Sequence, residues 1–123
     1  MNTSKKHQSL SLSISDFLAD NPAATEYSTP SFSVVGRQFL TFQFNFQELD
    51  ASDAVLNLEQ SLDNTNFCDL LDCLGAPVSI VLDEDEASVT LNLNLVNTAF
   101  IKATVTFNSV TEGYLSSYIY LTT

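Results

Sequence analysis

The densest run of ligand-capable side chains is Asp83-Glu84-Asp85-Glu86. Hard cations such as Ca²⁺ are held by clustered carboxylate oxygens, so these four acids are the first candidate metal site. The run lacks the spacing and the glycine of an EF-hand loop. Adjacent acids also repel one another, and the plainer reading is a solvated turn. Glu48, Asp50 and Asp53 form a looser acidic turn of the same kind. Cys68 and Cys73 are separated by four residues, not the two of a zinc knuckle or redox motif, and no histidine is near them in sequence. His7, the only histidine, lies in a polar N-terminal stretch, far from either thiol. Carboxylate pairs for glycosidase chemistry must face each other across a cleft, and sequence spacing does not specify that. There is no serine elbow and no glycine-rich phosphate loop. The residues read as those of a protein that is not an enzyme and takes no cofactor.

Charge narrows the partners. Fifteen acidic residues face four basic ones, for a net charge of -11. Such a surface repels phosphate backbones and anionic headgroups, which argues against nucleic acid and membrane as partners. It also keeps a strand-rich chain soluble and discourages edge-to-edge association. The N-terminal stretch has no continuous apolar run of the kind a signal peptide carries. Synthesis in a cytosol, with both thiols reduced and buried, is the expectation.

The elements that must position these residues are mostly strands. Leu10, Leu12 and Ile14 alternate with serines, and Ser15-Asp16-Phe17-Leu18-Ala19 suits a single helical turn. In Phe39 to Gln47, Leu40, Phe42, Phe44 and Phe46 share one face, and Thr41, Gln43, Asn45 and Gln47 share the other. Four large side chains in a row must pack on something broad, most simply a second sheet. Alternation recurs from Ala54, from Val78 to Leu82 and from Val89 to Leu95. Phe67, Leu70, Leu71 and Leu74 fall at helical spacing, with Asn66 as a cap and Gly75 and Pro77 as a stop. This predicts a short helix over 67–74. From Phe100 to Leu121 the pattern reads as a β-hairpin turning at Asn108 to Gly113. The sum is an all-β chain: an antiparallel β-sandwich or jelly roll of seven to eight strands with one short helix. Residues 1–8 read as a flexible arm, and 9–123 as a single domain of 115 of the 123 residues.

Tyr114, Tyr118 and Tyr120 share one face of the last strand. Tyrosine offers apolar area with a polar tip, which suits contact with another subunit or with a sugar.

Two segments carry a resemblance. Leu58 to Leu70, reading L-E-Q-S-L-D-N-T-N-F-C-D-L, is similar to an "L-x-x-S-x-D-G-x-N-W-x-D-L" segment of tailed-phage virion proteins. Phe100 to Leu115 resembles the closing hairpin of the same proteins, where a "Y-I/L-R/K-V-x-V/Y-T" strand precedes a glycine-containing turn. Asn64 stands where the pattern has glycine, and Phe67 where it has tryptophan. The acidic, Asn-, Thr- and Ser-rich look also resembles that of crAss-like phages. The family comprises small β-sandwich proteins of capsid decorations, head fibres and tail accessories. The resemblance implies a virion structural protein that sits on the major capsid protein, or on other virion proteins, and stabilises the shell. It further implies a homo-oligomer, with a trimer expected. Lys5 and Lys6 on the arm, and Tyr114, Tyr118 and Tyr120, are then the candidate partner contacts. The alternative is a glycan-binding module of a tail or attachment apparatus.

Overall fold

The computed structural model describes residues 4–71, 74–82, 88–95 and 98–122. In chain order the elements are β1 (Ser4–Ser13), α1 (Ile14–Asp20), β2 (Glu26–Ser28), β3 (Phe32–Ser33), β4 (Phe39–Gln47), β5 (Ala54–Ser61), β6 (Cys68–Asp69), β7 (Ser79–Leu82), β8 (Ser88–Asn94), β9 (Phe100–Thr106) and β10 (Tyr114–Thr122). One sheet has the order β1-β10-β4-β8. The other has β2-β9-β5-β6, with β3 joining β9 and β7 joining β5. Every strand pairing is antiparallel. This is the expected two-sheet sandwich, jelly-roll-like, with ten strands among the described residues and one short helix.

The core lies where the two inner faces meet. Leu40, Phe42, Phe44, Phe46, Leu115, Ile119 and Leu121 come from the first sheet. Ala54, Leu56, Leu58, Leu82, Ile101, Ala103 and Val105 come from the second. Period-two alternation puts each set on one side of its strand, and burial of these side chains drives the sheets together.

Four expectations are corrected. The first concerns the terminal hairpin. β9 pairs with β2, β3 and β5, whereas β10 pairs with β1 and β4, so the two strands lie in different sheets. The turn between them crosses the sandwich, and buried Phe107 and Val110 hold it against the core.

The second is the helix over 67–74. β6 instead adds to the edge of β5, Leu71 and Pro77 form an isolated bridge, and Leu70 N–H donates to Leu58 O at 2.9 Å. Only Leu70 of the four spaced residues is buried, and Leu74 is 89% exposed. An isolated helix of this length is marginal. The β5 edge offers backbone partners instead. The helix that does form, α1, starts at Ile14, whose side chain is fully buried and whose N–H donates to Gly113 O at 2.9 Å. Asn21 closes it, both its backbone N–H and its Nδ2 donating to Phe17 O.

The third is the arm. From Ser4 onward its backbone is part of β1, pairing Ser4 to Gln8 against Thr122 to Tyr118 of β10. The β10 edge would otherwise leave a row of unpaired backbone groups, and polar side chains do not prevent backbone pairing. The fourth is the burial of the thiols. Cys68 is exposed on β6, and Cys73 lies outside the described residues.

Candidate functional site

β4, β8 and β10 contain no Asp, Glu, Lys or Arg, and β1 contributes only Lys5 and Lys6. All fifteen acids of the chain therefore lie outside the strands of the first sheet. The outer faces of β4, β8 and β10 are built from hydroxyls, amides and phenols. Register brings them into rows: Tyr114 lies between Ser13 and Gln47, and Ser116 between Ser11 and Asn45. Tyr118 pairs with Gln43, and Tyr120 with Thr41. Beyond β4, Asn92 of β8 accepts a hydrogen bond at Oδ1 from Thr41 Oγ1 at 2.9 Å. Gln43 Nε2 donates to Asn45 Oδ1 at 3.1 Å.

The tyrosines are unequally open. Tyr114 is 48% and Tyr120 42% exposed, while Tyr118 is half-buried between them. At the Tyr114 end a shallow hollow of about 530 Å³ is lined by Ser11, Ser13, Asn45, Gln47, Tyr114 and Ser116, with Leu12, Phe46 and Leu115. The sequence placed the three tyrosines on one face. It did not show the neighbours that register supplies, because three of the four strands are far apart in the chain. The absence of charge from those strands was legible and was the missed signal.

The acidic candidates fall out differently. Asp83, Glu84, Asp85 and Glu86 lie outside the described residues. Among the described residues no group of three or more His, Cys, Asp or Glu side chains is arranged to hold a metal ion. The backbone of Lys5 and Lys6 pairs with Leu121 and Tyr120. Asp50 and Asp53 bind the β9–β10 crossover. Asp50 accepts from the Thr111 N–H at 2.8 Å, the Thr111 hydroxyl and the Glu112 N–H at 3.2 Å. Asp53 accepts from the N–H and hydroxyl of Ser109. Two crossovers, β4–β5 and β9–β10, are thereby stitched side by side.

The Thr111 hydroxyl, aided by the backbone amides, holds the Asp50 carboxyl below its ordinary 3.8. A lowered folded-state value means that this contribution to stability is present above the unfolded value and is lost as pH falls through the folded one. Asp50→Asn is expected to destabilise at neutral pH, with the gap to wild type closing as pH drops below 3.8, read from urea midpoints across that range. The Ser61-x-Asp63-Asn64-x-Asn66 turn works in a similar way. Asp63 Oδ1 accepts the N–H groups of Asn66 at 2.8 Å and Thr65 at 2.9 Å, which lowers its pKa well below the usual range. Asn64 takes the left-handed conformation, φ 60°, that the resembling pattern assigns to glycine. Phe67 lies beneath the Lys102 ammonium, 4.4 Å from its ring centre, and Lys102 pairs with Glu59 at 3.8 Å.

No protein-family model matches the chain, and no curated protein matches its sequence. Solved structures do match it. The SPBc2 prophage-derived protein YomS superposes with a TM-score of 0.65 at 9% identity, covering 100% of this chain and 96% of that one. The fold is that of YomS. Infectious bursal disease virus VP2, in its subviral particle, matches with a TM-score of 0.50 at 10% identity, covering 98% of this chain and 32% of VP2. A structure of the M60 catalytic domain with the CBM51-1 and CBM51-2 domains from Clostridium perfringens ZmpB gives 0.46 at 11% identity, over 78% of this chain and 10% of that one, too low to carry an argument about function. At such identities the likeness to YomS and VP2 is one of fold. The chain is a β-sandwich similar in fold to a prophage-derived protein and, more distantly, to part of infectious bursal disease virus VP2.

Proposed function

We propose that the chain is a carbohydrate-binding module of a phage-associated assembly, and that its ligand face is the outer face of the β1-β10-β4-β8 sheet. The observation that carries this reading is the uncharged carpet of tyrosine, amide and hydroxyl on β4, β8 and β10, in a chain of net charge -11. A neutral glycan is a polyol whose C–H faces can rest on aromatic rings and whose hydroxyls bond to fixed amides and hydroxyls. Tyr114 supplies the ring, and Asn45, Gln47 and Ser116 around the hollow supply the polar partners. The module holds its ligand without acting on it chemically. Its likeness to YomS supports a place in a phage assembly. Tyr114→Ala is expected to weaken binding of a glycan found by array screening by about tenfold or more, roughly 1.4 kcal/mol, with the fold intact because the ring is half open. Calorimetric titration checks this, and array-wide absence of binding would refute the reading.

The second reading is a virion structural subunit seated on the major capsid protein through the same tyrosine face. The match to VP2 over nearly the whole chain favours it. Mass spectrometry of purified particles would find this protein at a fixed copy number per capsid, and binding to capsid rather than to sugar would be lost in Tyr114→Ala.

A further inference from the structure

The two edges of the first sheet are unlike. β1 carries Lys5 and Lys6 and a register shift between Gln8 and Leu10, devices that keep an edge from accepting another strand. β8, at the other edge, has no charge, no proline and no shift in its seven-residue register with β4. The edge strands of the second sheet are short: β2 has three residues, β3 and β6 two each, and β7 four. Among the described residues β8 is thus the one long, regular, uncharged strand at an edge. Its inward residues Val89, Leu91 and Leu93 are only half-buried, whereas their partners Phe44, Phe42 and Leu40 on β4 are buried completely or nearly so. An edge of this kind presents unpaired backbone groups and an uncovered apolar row together.

We propose that β8 is the joint between two copies of this chain, pairing antiparallel with β8 of the second copy about Leu91 to form one continuous eight-stranded sheet, β1-β10-β4-β8 from each copy. The occupant is argued from pattern and charge. In Ser88-Val89-Thr90-Leu91-Asn92-Leu93-Asn94, a two-fold axis at Leu91 sets Val89 opposite Leu93 and Thr90 opposite Asn92. Apolar meets apolar on the inner face, and polar meets polar on the outer. Two chains of net charge -11 repel over most of their surfaces, but this joint brings together the sheets whose strands hold no acid. The blunted β1 edges then end the sheet at two copies, as closed two-fold association requires. The carbohydrate reading neither requires this joint nor depends on it.

Sedimentation velocity over a hundredfold range of concentration tests the joint, together with amide hydrogen exchange. The wild-type chain is expected to move from 13.5 kDa to twice that mass, with exchange across residues 88–94 slowing in step. The double variant Thr90→Lys, Asn92→Lys, both exposed positions, sets lysines opposite lysines and is expected to weaken association at least about tenfold. A chain that stays monomeric, a trimer, or a dimer whose 88–94 amides exchange as in the monomer would each overturn the proposal. So would a double variant that associates as tightly as wild type. The exchange measurement on the wild-type chain decides the question even where the double variant does not fold.

Discussion

Phe44→Ala is expected to cost about 3–5 kcal/mol of folding stability, a large share of the roughly 5–15 kcal/mol that holds a domain of this kind together. Phe44 is 0% exposed at the centre of β4. Its ring lies nearly parallel to that of Phe42, 9° off with centres 6.3 Å apart, and 6.0 Å from that of Phe46. Its strand neighbours are Ser117 on β10 and Val89 on β8, so the side chain projects inward from the middle of the first sheet. A cavity there has rigid strands around it and little freedom to collapse, which places the cost toward the upper end of the range. Urea denaturation should show a lower midpoint with an unchanged slope. Phe39→Ala, on the same strand but 47% exposed, serves as the comparison and should cost about 1 kcal/mol or less.

Gly113→Ala is the second large effect, expected at about 3 kcal/mol from positive-φ strain and overpacking together. Gly113 has φ +134°, and a Cβ there would lie 2.5 Å from Leu49 Cδ2, 3.1 Å from Leu49 Cα and 3.2 Å from Gln47 O. The Leu49 methyl can swing aside, but the backbone atoms cannot. Gly113 is also where the β9–β10 crossover passes the β4–β5 crossover, with its carbonyl accepting the first N–H of α1. A shift there disturbs three connections at once. Gly75→Ala isolates the strain alone: φ is +83° and nothing lies within 4 Å of the added Cβ, so about 1 kcal/mol is expected. A Gly113 variant no worse than the Gly75 variant would show that the crossovers are not packed against each other as described.

The two predictions differ in how far the sequence announces them. Phe44 stands out in the alternation of Phe39 to Gln47, which matches β4 to the residue. Gly113 reads as a turn glycine, and its packing against Leu49 depends on β10 returning to the β4 sheet. Alternation reports which side of a strand is buried, because the side-chain period is two in any sheet. It is silent on which strand is the neighbour. β9 and β10 would show the same pattern in a hairpin or across a sandwich, and here they lie in different sheets. The helical spacing from Phe67 to Leu74 failed for a related reason. Four leucine and phenylalanine positions suit one helix face, but a segment beside the β5 edge gains backbone bonds from that edge, and only Leu70 reaches the core.

The candidate site divides along the same line. That Tyr114, Tyr118 and Tyr120 share a face, and that β4, β8 and β10 hold no charge, is written in the residues themselves. That these strands lie side by side, so that the uncharged rows merge into one surface, was decided by antiparallel pairing between segments far apart in the chain, Phe39–Gln47 with Tyr114–Thr122 and with Ser88–Asn94. The sequence determined the all-β class, the buried face of each long strand and the turn chemistry of Ser61 to Asn66, because each rests on local period or local hydrogen bonding. Only the tertiary structure decided which sheet each strand joins, which carboxylates bind a crossover rather than solvent, and which edge is left open. Those outcomes rest on pairing partners that come together only when the chain folds.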